Sequence, residues 1–264
     1  MEVSLLDLAK RFNLLTTVEA PPANVETRID RKHKNGSRKT KGDPFKYFIC
    51  LDFEATCWEK ADQAKWKTQE IIEFPSVLVK VDTGDVEAEF QRYLKPVEFS
   101  TLTDFCVRLT GITQTTVNNG CAMKECLQDF DLWMQKICKE RNLVLPKTNV
   151  DSAGMNVALC TWTDWDIITL SKECARKKLR KPPYFGQWID VRKIFMRHYK
   201  IKPTSFNHAI NHVGLKFVGK PHSGIDDARN LARLVTKMKK DGAKFSITKD
   251  TAPYQAVNKP VQEM

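Results

Sequence analysis

Asp52 and Glu54 stand one residue apart at the end of FICLDFE, a run that is otherwise apolar. Acidic side chains almost never enter a core unpaired. Side chains alternate along a strand, so residues two apart share a face. Asp52 and Glu54 therefore project together, while Leu51 and Phe53 point the other way into the core. At about 4 Å and an effective dielectric of about 20, two such charges repel by roughly 4 kcal/mol. A hard divalent cation such as Mg²⁺, held by oxygen ligands, relieves that repulsion. The plainer alternative is two solvated acids on an exposed edge, and the apolar flank argues against it.

Two more segments offer acids. In CTWTDWDIITL an apolar strand runs into a helix, with Asp164 and Asp166 at the junction. Asp164 fits the N-cap position, where a side-chain oxygen accepts a free helix amide. Asp166 falls in the first turn, four residues before Leu170 on the buried side, and is the candidate ligand. In PHSGIDDARNLARLVTKM, Asp227 shares a helical face with Leu231, Leu234 and Met238 and points to the sheet. Asp226 shares the opposite face with Asn230, Arg233 and Lys237 and is read as a solvent-facing cap. His222 lies five residues before Asp227 in a Gly-containing loop. An imidazole, titrating near ~6.5, is largely neutral at physiological pH and suits a base that takes a proton from water. A plain surface histidine is the alternative. His208 and His212 have a zinc-like spacing, but Ala209 replaces the glutamate of the metalloprotease motif, so they read as ordinary helix residues.

The elements that must carry these groups follow from periodicity. YFICLDF (47–53) predicts a strand, and residues 70–96 a hairpin turning at Thr83-Gly84-Asp85. Residues 103–113 predict a helix broken at Gly111, and 122–140 a long amphipathic helix. A strand over 155–162 feeds a helix over 164–178; helices near 190–199, 204–213 and 226–240 complete the order, the last stopped by Gly242. Hairpin strands followed by alternating helices and strands predict an α/β domain with a mixed central sheet, whose sites collect at strand ends.

The chain has 264 residues, 42% hydrophobic and 28% charged, enough for one large domain with tails. Its net charge of +11 favours polyanionic partners, nucleic acid first. The eight cysteines form no CxxC pair, and most fall in predicted strands or helices, so a reducing compartment is expected and a disulfide framework is not. LLDLAKRFNLL (5–15) is too short and too charged for a membrane span and reads as a docking helix for the domain or a partner. RKHKNGSRKTK (31–41) reads as a basic linker, a nuclear-import signal or an RNA-gripping arm. The expected division is 1–44 helix and linker, 45–249 catalytic domain, 250–264 disordered tail.

Four acids in three separated segments, with a histidine five before the last, resemble the DEDDh family of 3′–5′ exonucleases. DFEATC, EIIEFPSVL, LTGIT, WTDWD and PHSGIDDARNLARL together resemble its enhanced-RNAi, or 3′-end histone-mRNA, exonuclease branch. The likeness spans about 45 to 249. It implies a ribonuclease H-like sheet flanked by helices. Histone-mRNA members carry an N-terminal SAP domain that helps grip a stem-loop; residues 1–44 are too short and polar for one, which points to a compact, less selective nuclease.

The resemblance further implies two Mg²⁺ or Mn²⁺ ions, about 3.5–4 Å apart. Asp52 would bridge them, Glu54 and Asp227 would complete one shell, Asp166 would contribute directly or through water, and His222 would be the base. The backbone at Glu54 and Ala55, with Thr56, would meet the terminal sugar. Leu109 and Trp165 would sandwich the base, an aromatic platform suiting any base; core packing is the alternative for Trp165. Lys220 is the candidate phosphate contact nearest the chemistry. The expected partner is RNA with a 3′ end, DNA being left open; no membrane partner is expected, and the chain is read as an intracellular monomer. Two other readings remain: a DNA-repair exonuclease, and a non-catalytic RNA-binding module, against which the intact acids count.

Overall fold

The protein is seen in a computed structural model that describes residues 44–59, 65–146 and 154–251. The segments at 5–15 and 31–41 lie outside the described residues. Seven strands form one mixed sheet: β1 (Tyr47–Leu51), β2 (Glu54–Ala55), β3 (Ile71–Lys80), β4 (Val86–Tyr93), β5 (Val157–Thr161), β6 (Gln187–Asp190) and β7 (Lys249–Asp250). Among the described residues seven α-helices accompany them: α1 (Asp104–Thr110), α2 (Gln114–Asn118), α3 (Met123–Arg141), α4 (Trp165–Arg176), α5 (Val191–Tyr199), α6 (Phe206–His212) and α7 (Gly224–Lys240). The sheet runs β2-β3-β1-β5-β6-β7, with β4 also paired to β3. β1 is antiparallel to β3 and parallel to β5, and is buried on both faces.

Alternation along β1 assigns the faces. Phe48 and Cys50 pack with Ala228, Leu231, Leu234 and Val235 of α7 and with Ile194 and Phe195 of α5. Ile49, Leu51 and Phe53 pack with Phe130 and Met134 of α3 and Ile167 and Leu170 of α4. The parity of the strand therefore puts Asp52 and Glu54 on the side that α7 covers.

The ladder between β1 and β3 ends at Leu51 opposite Ser76 and resumes in the same register at Glu54 opposite Glu73. In the gap Asp52 would face Pro75, which has no amide to donate. The interruption lies at the candidate acids.

A buried ionic network ties α4 to the start of β3. Lys177 Nζ lies 2.7 Å from Glu70 and 2.6 Å from Glu173. Glu173 accepts the Ile71 amide at 2.8 Å. Glu70 accepts the amides of Val97, Glu98 and Phe99 at 2.8–2.9 Å, fixing the path from β4 toward α1.

The predicted mixed sheet with flanking helices is what the structure contains, with several departures. β6, not expected from the sequence, directly precedes the helix expected over 190–199, which forms as α5 with Asp190 as its N-cap, accepting the Lys193 amide at 3.1 Å. α7 starts at Gly224 rather than 226. Asp250 pairs with Gln187, so the sheet runs past the expected end of the domain. All eight cysteines are free thiols.

Lys177→Ala would leave Glu70 and Glu173 buried without their cation, at a cost of about 3–5 kcal/mol. Urea unfolding is expected to show a lower midpoint at an unchanged slope; a midpoint shift worth under about 1 kcal/mol would contradict a stabilising role for the network.

Candidate active site

Asp52 and Glu54, at the gap after β1, are partly buried, whereas Asp166 and Asp227 are buried. Past the last β1–β5 pair, the Phe53 amide donates to Asp166 Oδ1 at 2.7 Å, tying the first turn of α4 to the chain between Asp52 and Glu54. Gly224 presses the start of α7 against the same point: a Cβ there would lie 2.6 Å from the Asp52 carbonyl oxygen. Asp227 accepts the His222 amide at 2.7 Å, and His222 holds φ at 64°. That left-handed backbone is unusual for a residue with a side chain.

The acids feel one another. Burial, then Asp166, Asp227 and Glu73, push the Asp52 carboxyl well above the usual range. Burial, then Asp227, Asp52 and Glu73, do the same to Glu54. Burial raises Asp166 to about 7 against the opposing Phe53 bond. Burial, with Asp226, Glu73 and Asp166, raises Asp227 to about 8. Burial and the Lys220 charge lower His222, which keeps its imidazole neutral. All four acids and His222 named from the sequence thus meet in one place.

Two neighbouring acids behave differently from their expected roles. Asp164 occupies the N-cap position of α4 but makes no side-chain cap bond. It accepts Trp188 Nε1 at 3.0 Å and pairs with Lys193 at 2.9 Å, because β6 and α5 bring those donors beside it. Asp226 does not cap α7; it accepts the Lys220 amide at 2.9 Å and fastens the loop before His222. The unforeseen member is Glu73 in β3, only 1% exposed. Its signal was present in EIIEFP, an acid inside an apolar strand, the same anomaly as in FICLDFE.

The candidate substrate residues are placed as follows. Ala55 and Thr56 are buried; Thr56 Oγ1 accepts the Glu70 amide at 3.0 Å, so its hydroxyl is already engaged as an acceptor. Leu109 is buried on α1 beside Cys57, Ile72 and Cys106. Trp165, half-buried, opens α4 immediately before Asp166. The Lys220 ammonium rests against Gly111, the left-handed cap that ends α1 just beyond Leu109. His208 bonds Thr204 through Nδ1, and His212 packs on Phe195 and Tyr199, as ordinary helix residues do.

Residues 49–235 match the family model RNase_T, described as Exonuclease. The chain belongs to this family and is a 3′–5′ exonuclease of the DEDDh class. It is 48% identical over 253 residues to 3′-5′ exonuclease Snipper of Drosophila melanogaster, covering 96% of this chain and 89% of that one. It is 39% identical over 246 residues to ERI1 exoribonuclease 2 of Homo sapiens, covering 92% of this chain but only 34% of that longer protein. The nuclease domain of 3′hExo, a DEDDh family member solved bound to rAMP, superposes with a TM-score of 0.69 at 32% identity, covering 80% of this chain and 100% of that one. Among the described residues no helix is long and apolar enough to cross a membrane.

Nucleases of this class use divalent metal ions. The donors here are oxygens, and burial together with neighbouring acids raises the carboxyls of Asp52, Glu54 and Asp227. Among the described residues no three His, Cys, Asp or Glu side chains converge closely enough to hold an ion alone. Oxygen donors suit Mg²⁺, which binds through one or two carboxylates and completes its shell with water and substrate phosphate.

Asp166 and Asp227 titrate near 7 and 8 in the fold, against about 4 in an unfolded chain. A carboxyl raised by folding stabilises fully below its unfolded value, and that contribution is lost as pH climbs through the folded one. The melting temperature of EDTA-treated protein is therefore expected to fall between about pH 4 and 8, Mg²⁺ or Mn²⁺ to restore it at pH 8, and Asp52→Asn to flatten the fall. A metal-free profile that is level or rising over that window would contradict the clustering.

Proposed function

We propose that the chain removes nucleoside 5′-monophosphates one at a time from the 3′ ends of RNA, and of DNA as a second substrate, with two Mg²⁺ or Mn²⁺ ions. The observation that carries this reading is the meeting of Asp52, Glu54, Asp166 and Asp227 with His222, whose backbone amide is bonded to the last of them and whose imidazole is held neutral by burial. The names of the relatives, two of them exoribonucleases or bound to a ribonucleotide, and the net charge of +11 favour RNA first. Structured RNA with a 3′ overhang, including histone mRNA, ribosomal RNA and small RNA, is the substrate class.

Asp52, Glu54, Asp166 and Asp227 would hold the ions. When bound, they supply charge neutralisation for the attacking and leaving oxygens. His222 takes the proton of the attacking water. The hydroxide adds to the last phosphorus, the bond to the 3′ oxygen breaks, and that oxygen takes a proton from solvent. The products are a nucleoside 5′-monophosphate and a chain one residue shorter. Glu54, Ala55 and Thr56 position the terminal sugar, Leu109 and Trp165 flank its base, and Lys220 reaches a phosphate.

The test is a 5′-labelled stem-loop with a 3′ overhang, made as RNA and as DNA, with Mg²⁺ or with EDTA. A ladder shortening from the 3′ end is expected, absent in EDTA and in Asp52→Asn. His222→Ala is expected to lower kcat by about 10²–10⁴-fold. Near-normal turnover by His222→Ala would remove it as the base. Intact substrates that only shift on a native gel would replace the enzyme by a binding module.

A further inference from the structure

α7 carries Asp227 near its start, and His222 sits just before it, yet Ser223 at its N-cap makes no side-chain bond to the helix. Free amides at a helix start need an acceptor. The acceptor comes from about 150 residues earlier in the chain. Glu73 Oε2 accepts the Gly224 amide at 2.9 Å, and Oε1 accepts the Ile225 amide at 3.1 Å. Gln91 Nε2 donates to the same carboxylate at 2.8 Å, holding it from β4. Glu73 also stands opposite Glu54 in the β2–β3 pairing. One buried carboxylate thus touches the helix that bears the third acidic motif and lies across the ladder from the first.

We infer that Glu73 is a positioning residue for the reaction: its carboxylate clamps the first two amides of α7 and thereby sets His222 and Asp227 against Asp52 and Glu54. The contact is charge-assisted, and such bonds are stronger than neutral ones. Close packing makes it directional. Gly224 has no room for a Cβ between the Asp52 carbonyl, Pro75 and Glu73 itself, so the helix start can relax only away from Asp52. A displacement of about 1 Å among reacting groups costs on the order of 100-fold in rate. The inference rests on the function proposed above for this same site.

The experiment compares wild type, Glu73→Gln, Glu73→Ala and Gly224→Ala, with Asp52→Asn as the inactive control. kcat is expected to fall about 100-fold in Glu73→Ala and less in Glu73→Gln, which keeps one acceptor oxygen; KM is expected to hold within about threefold. Gly224→Ala, which keeps the carboxylate but pushes the helix start outward, is expected to repeat the kcat loss if Glu73→Ala does not fold. Amide hydrogen exchange, read without metal or substrate, is expected to quicken at Gly224 and Ile225 in both Glu73 variants. Unchanged exchange at those amides overturns the clamp. So does a wild-type kcat in Glu73→Ala, or a kcat loss that only tracks the unfolded fraction. Loss of a bound ion by calorimetry in Glu73→Gln, with exchange unchanged, would make Glu73 a ligand instead. If wild type itself degrades nothing, the proposed function fails, while the exchange result still decides the clamp.

Discussion

Asp52, Glu54, Glu73, Asp166 and Asp227 share one desolvated corner of the sheet, where Asp52, Glu54 and Asp227 each have their proton affinity raised by burial and by neighbouring acids. Carboxylates in that situation either take up protons or spread apart unless something holds them. The surrounding structure supplies the hold through backbone amides. Phe53 donates to Asp166, His222 to Asp227, and Gly224 and Ile225 to Glu73. Each bond fixes a carboxylate by a main-chain group that cannot swing away. His222 keeps its left-handed φ of 64° in the same way. Such a conformation costs on the order of 1–3 kcal/mol, and the amide bond to Asp227 helps offset it.

β3 is the element that organises this corner. Pro75 interrupts its ladder with β1 where Asp52 stands, and Glu73 reaches across to α7. At its start, Glu70 gathers the amides of Val97, Glu98 and Phe99, while Lys177 joins it to Glu173 of α4. α4 and the approach to α1 are thereby referred to one strand. These helices bear Trp165 and Leu109, so the flanks proposed for the terminal base have the same anchor as the acids.

Asp166 and Asp227 were legible because helical periodicity places each on the face of its apolar neighbours, and an acid on that face demands a reason. Asp164 and Asp226 were assigned less well. Both sit at helix starts, where local rules favour capping, but Trp188, Lys193 and the Lys220 amide compete for them from other segments. β6 was missed for a related reason. Its four residues carry no period of their own and become a strand only because β5 offers a parallel edge. Glu73 shows the same acid-in-a-strand anomaly as Asp52, but its hairpin pattern is complete without any constraint on where the carboxylate goes.

The amino-acid sequence by itself determined the class of the protein and the order of its main elements, and it singled out the four acids and His222 as candidates. Those features depend on alternation and spacing, which are local and survive without a partner. Only the tertiary structure decided which amide each carboxylate receives, where α7 begins, and that a fifth acid closes the corner. Gly224 and Glu73 lie 151 residues apart, and no periodicity within either segment encodes a contact that exists only once the sheet has brought both to the end of β1.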